Sequence, residues 1–96
     1  MALWLKENAD PSKTLYANNY HPILAYYSGF RLVPAYWNGG GIYDTLSKPL
    51  TADSYYVCDA GPRGPTDPTA AFLEANPDFR RIHTISNITL YAYKPK

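Results

Sequence analysis

One cysteine, two histidines and no block of like charge narrow the chemistry open to this chain before any motif is sought. The lone cysteine, Cys58, excludes an internal disulfide and leaves the redox compartment open. His21 and His83 stand without acidic companions at ligand spacing, short of the three or four convergent ligands that hold zinc. Nine basic and eight acidic residues give a net charge of +1 with no basic run, which argues against a nucleic-acid partner or an anionic-membrane patch. No apolar run approaches the ~18–20 residues that span a bilayer. The longest are Ile23–Tyr27 and Ala2–Leu5, and the opening ALWL lacks the length and cationic flank of a secretion signal.

Several catalytic signatures are missing as well. There is no GxSxG elbow for a serine hydrolase, and no pair of carboxylates set for acid–base work. Gly39-Gly40-Gly41 lacks both the GxGxxG spacing and the lysine of a P-loop, so it reads as a turn. Cys58 closes a strand with no cation to stabilise a thiolate, and a small core residue is the expectation. Asn87-Ile88-Thr89 matches a glycosylation sequon but falls in a tight turn, where asparagine suits the backbone anyway. No motif implies a cofactor, a metal or a catalytic residue.

What is present is a globular balance: 46% hydrophobic and 18% charged residues over 96 positions, enough for one domain near the lower size limit of a self-sufficient core. Ala2–Asn8 predicts two turns of helix, ended by Asp10-Pro11 because the residue before proline leaves the α region. Thr14–Ala17 predicts a strand. Asn19 is placed to cap a following helix, Pro22 fits its first turn, and Gly29 suits a left-handed stop. Phe30–Val33 predicts a second short strand closed by Pro34, and Ile42–Leu46 a single helical turn. Ser54–Cys58, SYYVC, is rich in β-favouring side chains. Asp59 to Pro68 holds three prolines and two glycines and reads as a loop. Thr69–Ala75 predicts a helix, and Phe79–Ile85 with Ile88–Tyr93 an antiparallel hairpin.

This alternation predicts an α/β fold: a small layered domain with a mainly parallel sheet of about five strands, helices packed on it, and a C-terminal antiparallel hairpin. If the Thr14 and Ser54 strands run parallel, their carboxyl ends bring Asn18, Asn19 and His21 near Asp59 and Arg63. Open α/β sheets place ligands in such a crevice, although caps and turns use the same residue types. Trp37 offers a face for a sugar ring or an anchor for its loop. A stand-alone module binding a carbohydrate or a nucleotide is therefore one reading of the residues.

Four segments carry a second reading. ALWLKENADPSKTLYANN, HPILAYYSGFRLVP, DSYYVCD and NPDFRRIHTISNITLYAYKP, with its terminal Leu-Tyr-x-Tyr, occur in the order of a known domain. Together they resemble the C-terminal extracytoplasmic domain of GT-C-type membrane glycosyltransferases, relatives of protein mannosyltransferases and aminoarabinose transferases. The resemblance implies a domain of residues 1–96 excised from a polytopic enzyme that uses a polyprenyl-phosphate-linked sugar. Catalysis in that family rests on an acidic residue in the first extracytoplasmic loop of the membrane part, so no catalytic residue carries over to this chain. The implied role is accessory, covering the active site or helping to hold the acceptor. The implied partners are the membrane-embedded part of the same polypeptide and a carbohydrate or lipid-linked sugar, and the implied location is the extracytoplasmic face of a membrane.

Overall fold

In the computed structural model, which describes residues 2–10, 12–18, 26–37, 41–46, 48–59, 68–85 and 88–95, the strand Leu15–Ala17 is buried at all three positions. Labelled in chain order, the elements are α1 (Ala2–Asn8), β1 (Leu15–Ala17), β2 (Leu32–Trp37), β3 (Ile42–Asp44), β4 (Ser54–Asp59), α2 (Pro68–Ala75), β5 (Phe79–Ile85) and β6 (Ile88–Tyr93). They build one six-stranded sheet in the order β3-β2-β1-β4-β6-β5. β1 lies parallel to both its neighbours, β2 and β4. The other pairings, β2–β3, β4–β6 and β5–β6, are antiparallel.

The mainly parallel five-stranded sheet expected from the alternation of elements is therefore wrong. The sheet is mixed and mostly antiparallel, and two local misreadings account for much of the difference. Ile42–Asp44 is a strand rather than a helical turn, because it folds back on β2 with Tyr36 opposite Tyr43 and Trp37 opposite Ile42. Asp44 then closes the strand: its Oδ1 accepts the backbone N–H groups of Leu46 and Lys48, both at 2.9 Å. β2 also runs through Pro34 instead of stopping there. Leu15 N–H donates to Arg31 O, so in a parallel ladder the odd-numbered residues of β2 bond to β1. Pro34 turns its donorless nitrogen the other way and costs that ladder nothing. The expected C-terminal hairpin is present as β5 and β6, and β6 pairs onward with β4.

Two clusters of buried side chains sandwich the sheet. On one face lie Leu5 of α1, Leu15, Ala17, Phe30, Val57 and Leu90. On the other lie Tyr16, Ala35, Ile42, Leu50, Tyr56, Cys58, Phe79, Tyr91 and Leu73 of α2. β4 alternates between them, which is why SYYVC reads as continuously apolar. Cys58 is a buried core residue, as its surroundings in the sequence suggest.

The described ends of the segments that lead into β2 and β4 lie on opposite faces of the sheet. Between β1 and β2, residues 26–28 are helical, Gly29 takes φ +76° at the stop, and Phe30 enters the first cluster. Between β3 and β4, Leu50 enters the second. The sheet order sets β2 on one side of β1 and β4 on the other, so β1 marks the point where the strand order reverses. Among the described residues, no helix is long and apolar enough to cross a membrane.

Candidate functional site

At the reversal point β1 stops short of both neighbours at the carboxyl edge of the sheet. Ala17, the last residue of β1, faces Pro34 on one side and Val57 on the other. β2 continues past that level to Trp37 and β4 to Asp59. Asn18 lies between them, only 8% exposed.

The Asn18 side chain prolongs the parallel ladder by one rung. Its Nδ2 donates to Asp59 O at 2.9 Å, and its Oδ1 accepts the Asp59 N–H at 2.8 Å. Its own backbone N–H donates to Val57 O at 3.3 Å. A carboxamide carries a donor and an acceptor in the spacing of a peptide group, so asparagine imitates the next strand residue after the backbone has turned away. The juxtaposition of Asn18 with Asp59 expected from parallel strands is present. The carboxamide is committed to holding the strand ends together.

Trp37 ends β2 opposite Ile42 and is 40% exposed. Asn19, His21 and Arg63, the other candidate ligand residues, lie outside the described residues, as do Gly39, Gly40 and Asn87. His83 has a structural role: its ring stacks on Trp4.

Four carboxylates also serve the fold. Asp10 Oδ1 accepts the Ser12 Oγ–H and backbone N–H, which lowers its pKa. Asp44 holds the turn after β3. Asp53 bonds Lys13 at 3.0 Å and raises the pKa of that ammonium, tying the approach to β4 to the approach to β1. Glu74 accepts from Arg81 Nη2 at 2.7 Å and from Tyr91 Oη at 2.6 Å, and both bonds lower its pKa. Among the described residues, no three His, Cys, Asp or Glu side chains converge as a metal would require.

A concavity elsewhere was not foreseen from the sequence. A pocket of about 180 Å³ opens where β3, the Pro49-Leu50 segment, α2 and the open end of the β5–β6 hairpin meet. Its lining includes Tyr43, Leu50, Phe72, Asn76, Phe79 and Tyr93, and no charged residue. Phe79 faces Tyr93 across the hairpin, and their rings stack with centroids 4.6 Å apart. Burial, followed by the nearby Asp78 carboxylate, pushes the Tyr93 phenol pKa up, which keeps it neutral. Phe79 and Tyr93 share the open end of the hairpin, and the opposite wall comes from segments distant along the chain.

Comparison with protein-family models, with curated proteins and with solved structures returned no match to this chain.

Proposed function

We propose that this chain is a non-catalytic, extracytoplasmic domain of a polytopic membrane glycosyltransferase with a polyprenyl-phosphate-linked sugar donor, assisting acceptor binding or covering the active site. The observation that carries the reading is the Asn18–Asp59 exchange. At the strand reversal, where an open α/β enzyme sets its chemistry, the carboxamide is bonded to the backbone of the neighbouring strand. Asp10, Asp44, Asp53 and Glu74 are likewise engaged in turns and inter-element ties. On this reading the bond-making groups belong to the membrane-embedded part of the polypeptide.

The order of elements adds support. The segments that resemble the glycosyltransferase domain supply α1 with β1, the helical turn with the start of β2, β4, and the closing hairpin. α1 packs Leu5 against the sheet and leaves Leu3 67% exposed, which suits a helix that leads in from a membrane span.

The test is the size and location of the native protein. An antibody raised against this 10.8 kDa chain should detect a far larger polypeptide in the membrane fraction of the source cells. A native protein of the chain's own size in the aqueous fraction would overturn the proposal. So would sugar transfer from a polyprenyl-phosphate donor by the purified chain alone.

A further inference from the structure

We infer that the pocket between β3, α2 and the open end of the β5–β6 hairpin is a binding site for a single neutral pyranose ring. Size sets the first limit. An apolar cavity of ~150 Å³ holds one benzene molecule, so a partly open pocket of about 180 Å³ takes one six-membered ring with its substituents and little more.

Chemistry sets the rest. Phe79 and Tyr93 present a stacked aromatic wall, and Phe72 meets Phe79 edge-on at 6.2 Å. Aromatic faces of this kind suit the C–H-bearing face of a sugar. Besides the Tyr43 hydroxyl at the β3 wall, two polar groups stand in the same lining. Asn76 Oδ1 accepts the Asp78 N–H at 2.9 Å, which fixes the carboxamide and leaves its Nδ2 to donate. Among the described residues, no hydrogen bond engages the Tyr93 hydroxyl, which can both donate and accept. A hydrocarbon in this pocket would strip water from Asn76 and Tyr93 and give nothing back. An anion would find no cation in the lining. A neutral ring with hydroxyls at its rim answers both the aromatic wall and the two polar groups.

Taking the ring to be part of the acceptor glycan rests on the function proposed above; the preference for a neutral pyranose does not. A domain that binds sugars but proves to be free-standing keeps this inference and loses that reading. The reverse result separates them the other way.

The test is a ¹H–¹⁵N titration of the chain with methyl α-mannopyranoside and methyl β-glucopyranoside. Cyclohexanemethanol serves as the apolar ring and glucose 6-phosphate as the charged one. One small ring supports an affinity of roughly millimolar. Saturable shifts are expected at Leu50, Phe72, Asn76, Phe79 and Tyr93 with at least one glycoside. Tyr93→Phe removes only the hydroxyl, and Asn76→Asp keeps the acceptor for the Asp78 N–H while removing the amide donor. Each should weaken binding by about threefold to tenfold, with the rest of the spectrum unchanged. The inference falls if neither glycoside gives saturable shifts, or if the shifts gather at Asn18 and Asp59. It falls equally if cyclohexanemethanol or the phosphate binds as well as the glycosides.

Discussion

The indole of Trp4 lies flat against the imidazole of His83, with ring centroids 4.6 Å apart and planes 8° from parallel. A β-bulge makes the contact possible. The register between β5 and β6 shifts between Arg81 and His83, which sets His83 opposite Leu90. Leu90 belongs to the face that α1 covers with Leu5. α1 has seven residues and is too short to persist in water by itself, so this stack and Leu5 hold it to the sheet.

A double-mutant cycle with Trp4→Ala and His83→Ala should give a coupling energy of about 0.5–1.5 kcal/mol, the range for an aromatic pair beyond area burial. Urea denaturation measures it. Trp4→Ala should also speed amide exchange through α1 before it affects β4. Coupling indistinguishable from zero would mean that the rings are neighbours without being partners.

Asn18→Asp tests the strand-end exchange. At pH 7 the new carboxylate would face the Asp59 carbonyl, now 2.9 Å from the amide donor, with no proton to share. The expected loss is about 2–3 kcal/mol in urea denaturation. The sign of the pH dependence follows from which form fits. A protonated carboxyl restores a donor, so the folded state raises the pKa of the introduced group. The variant should therefore recover stability relative to the parent as pH falls towards about 4, the unfolded carboxyl value. A variant as stable as the parent at pH 7 would show that the exchange contributes nothing.

The strand-end juxtaposition was legible in the sequence because Thr14–Ala17 and Ser54–Cys58 are strongly β-forming and each is followed by a polar residue. Asn18 and Asp59 could be placed together once the strands were taken as parallel. What the side chain of Asn18 does there was not legible, since a cap, a ligand and a strand mimic all call for asparagine. β3 was missed because three residues carry no readable periodicity; its strand character comes from Tyr36 and Trp37 across the ladder. Pro34 looked like a stop because the direction of its nitrogen depends on register, a tertiary property. The pocket was hidden for the same reason, as its walls meet only after the sheet has formed.

Glu74 joins α2 to both strands of the hairpin, and its charge should shape the acid limb of stability. Arg81 and then Tyr91 lower its folded pKa by hydrogen bonding. A carboxylate with a depressed folded pKa adds stability above its unfolded value, about 4.3, and loses it as pH falls through the folded one. Tyr91 works in the opposite sense. Burial first, then the Glu74 bond, pushes the phenol pKa above its usual 10.0. Its contribution is present below that value and is lost as pH rises beyond it. Glu74→Gln should flatten the acid limb while costing less than about 1 kcal/mol at neutral pH, because the ion pair is half-exposed and screened. Tyr91→Phe should flatten the alkaline limb. Acid limbs that superimpose for parent and Glu74→Gln, measured by thermal melts between pH 2 and 7, would remove Glu74 from the account.

Gly29 and Gly41 pose opposite problems to a methyl group, and comparing them separates backbone strain from crowding. Gly29 has φ +76° and nothing within 4 Å of an added Cβ, so Gly29→Ala meets only the cost of a left-handed residue. That cost is about 1–2 kcal/mol, and Gly29→Asn should recover part of it because asparagine tolerates this region. At Gly41 an added Cβ would approach the Tyr43 ring to 3.0–3.1 Å, at the far end of a flexible side chain that can swing aside. Gly41→Ala should therefore change stability by less than about 0.5 kcal/mol, with its effect confined to Tyr43 and the pocket beside it. Urea midpoints rank the variants, and side-chain NMR of Tyr43 reports the displacement. If Gly41→Ala is the costlier change, the Tyr43 ring is fixed in place, and this corner of the pocket is a rigid wall rather than a movable one.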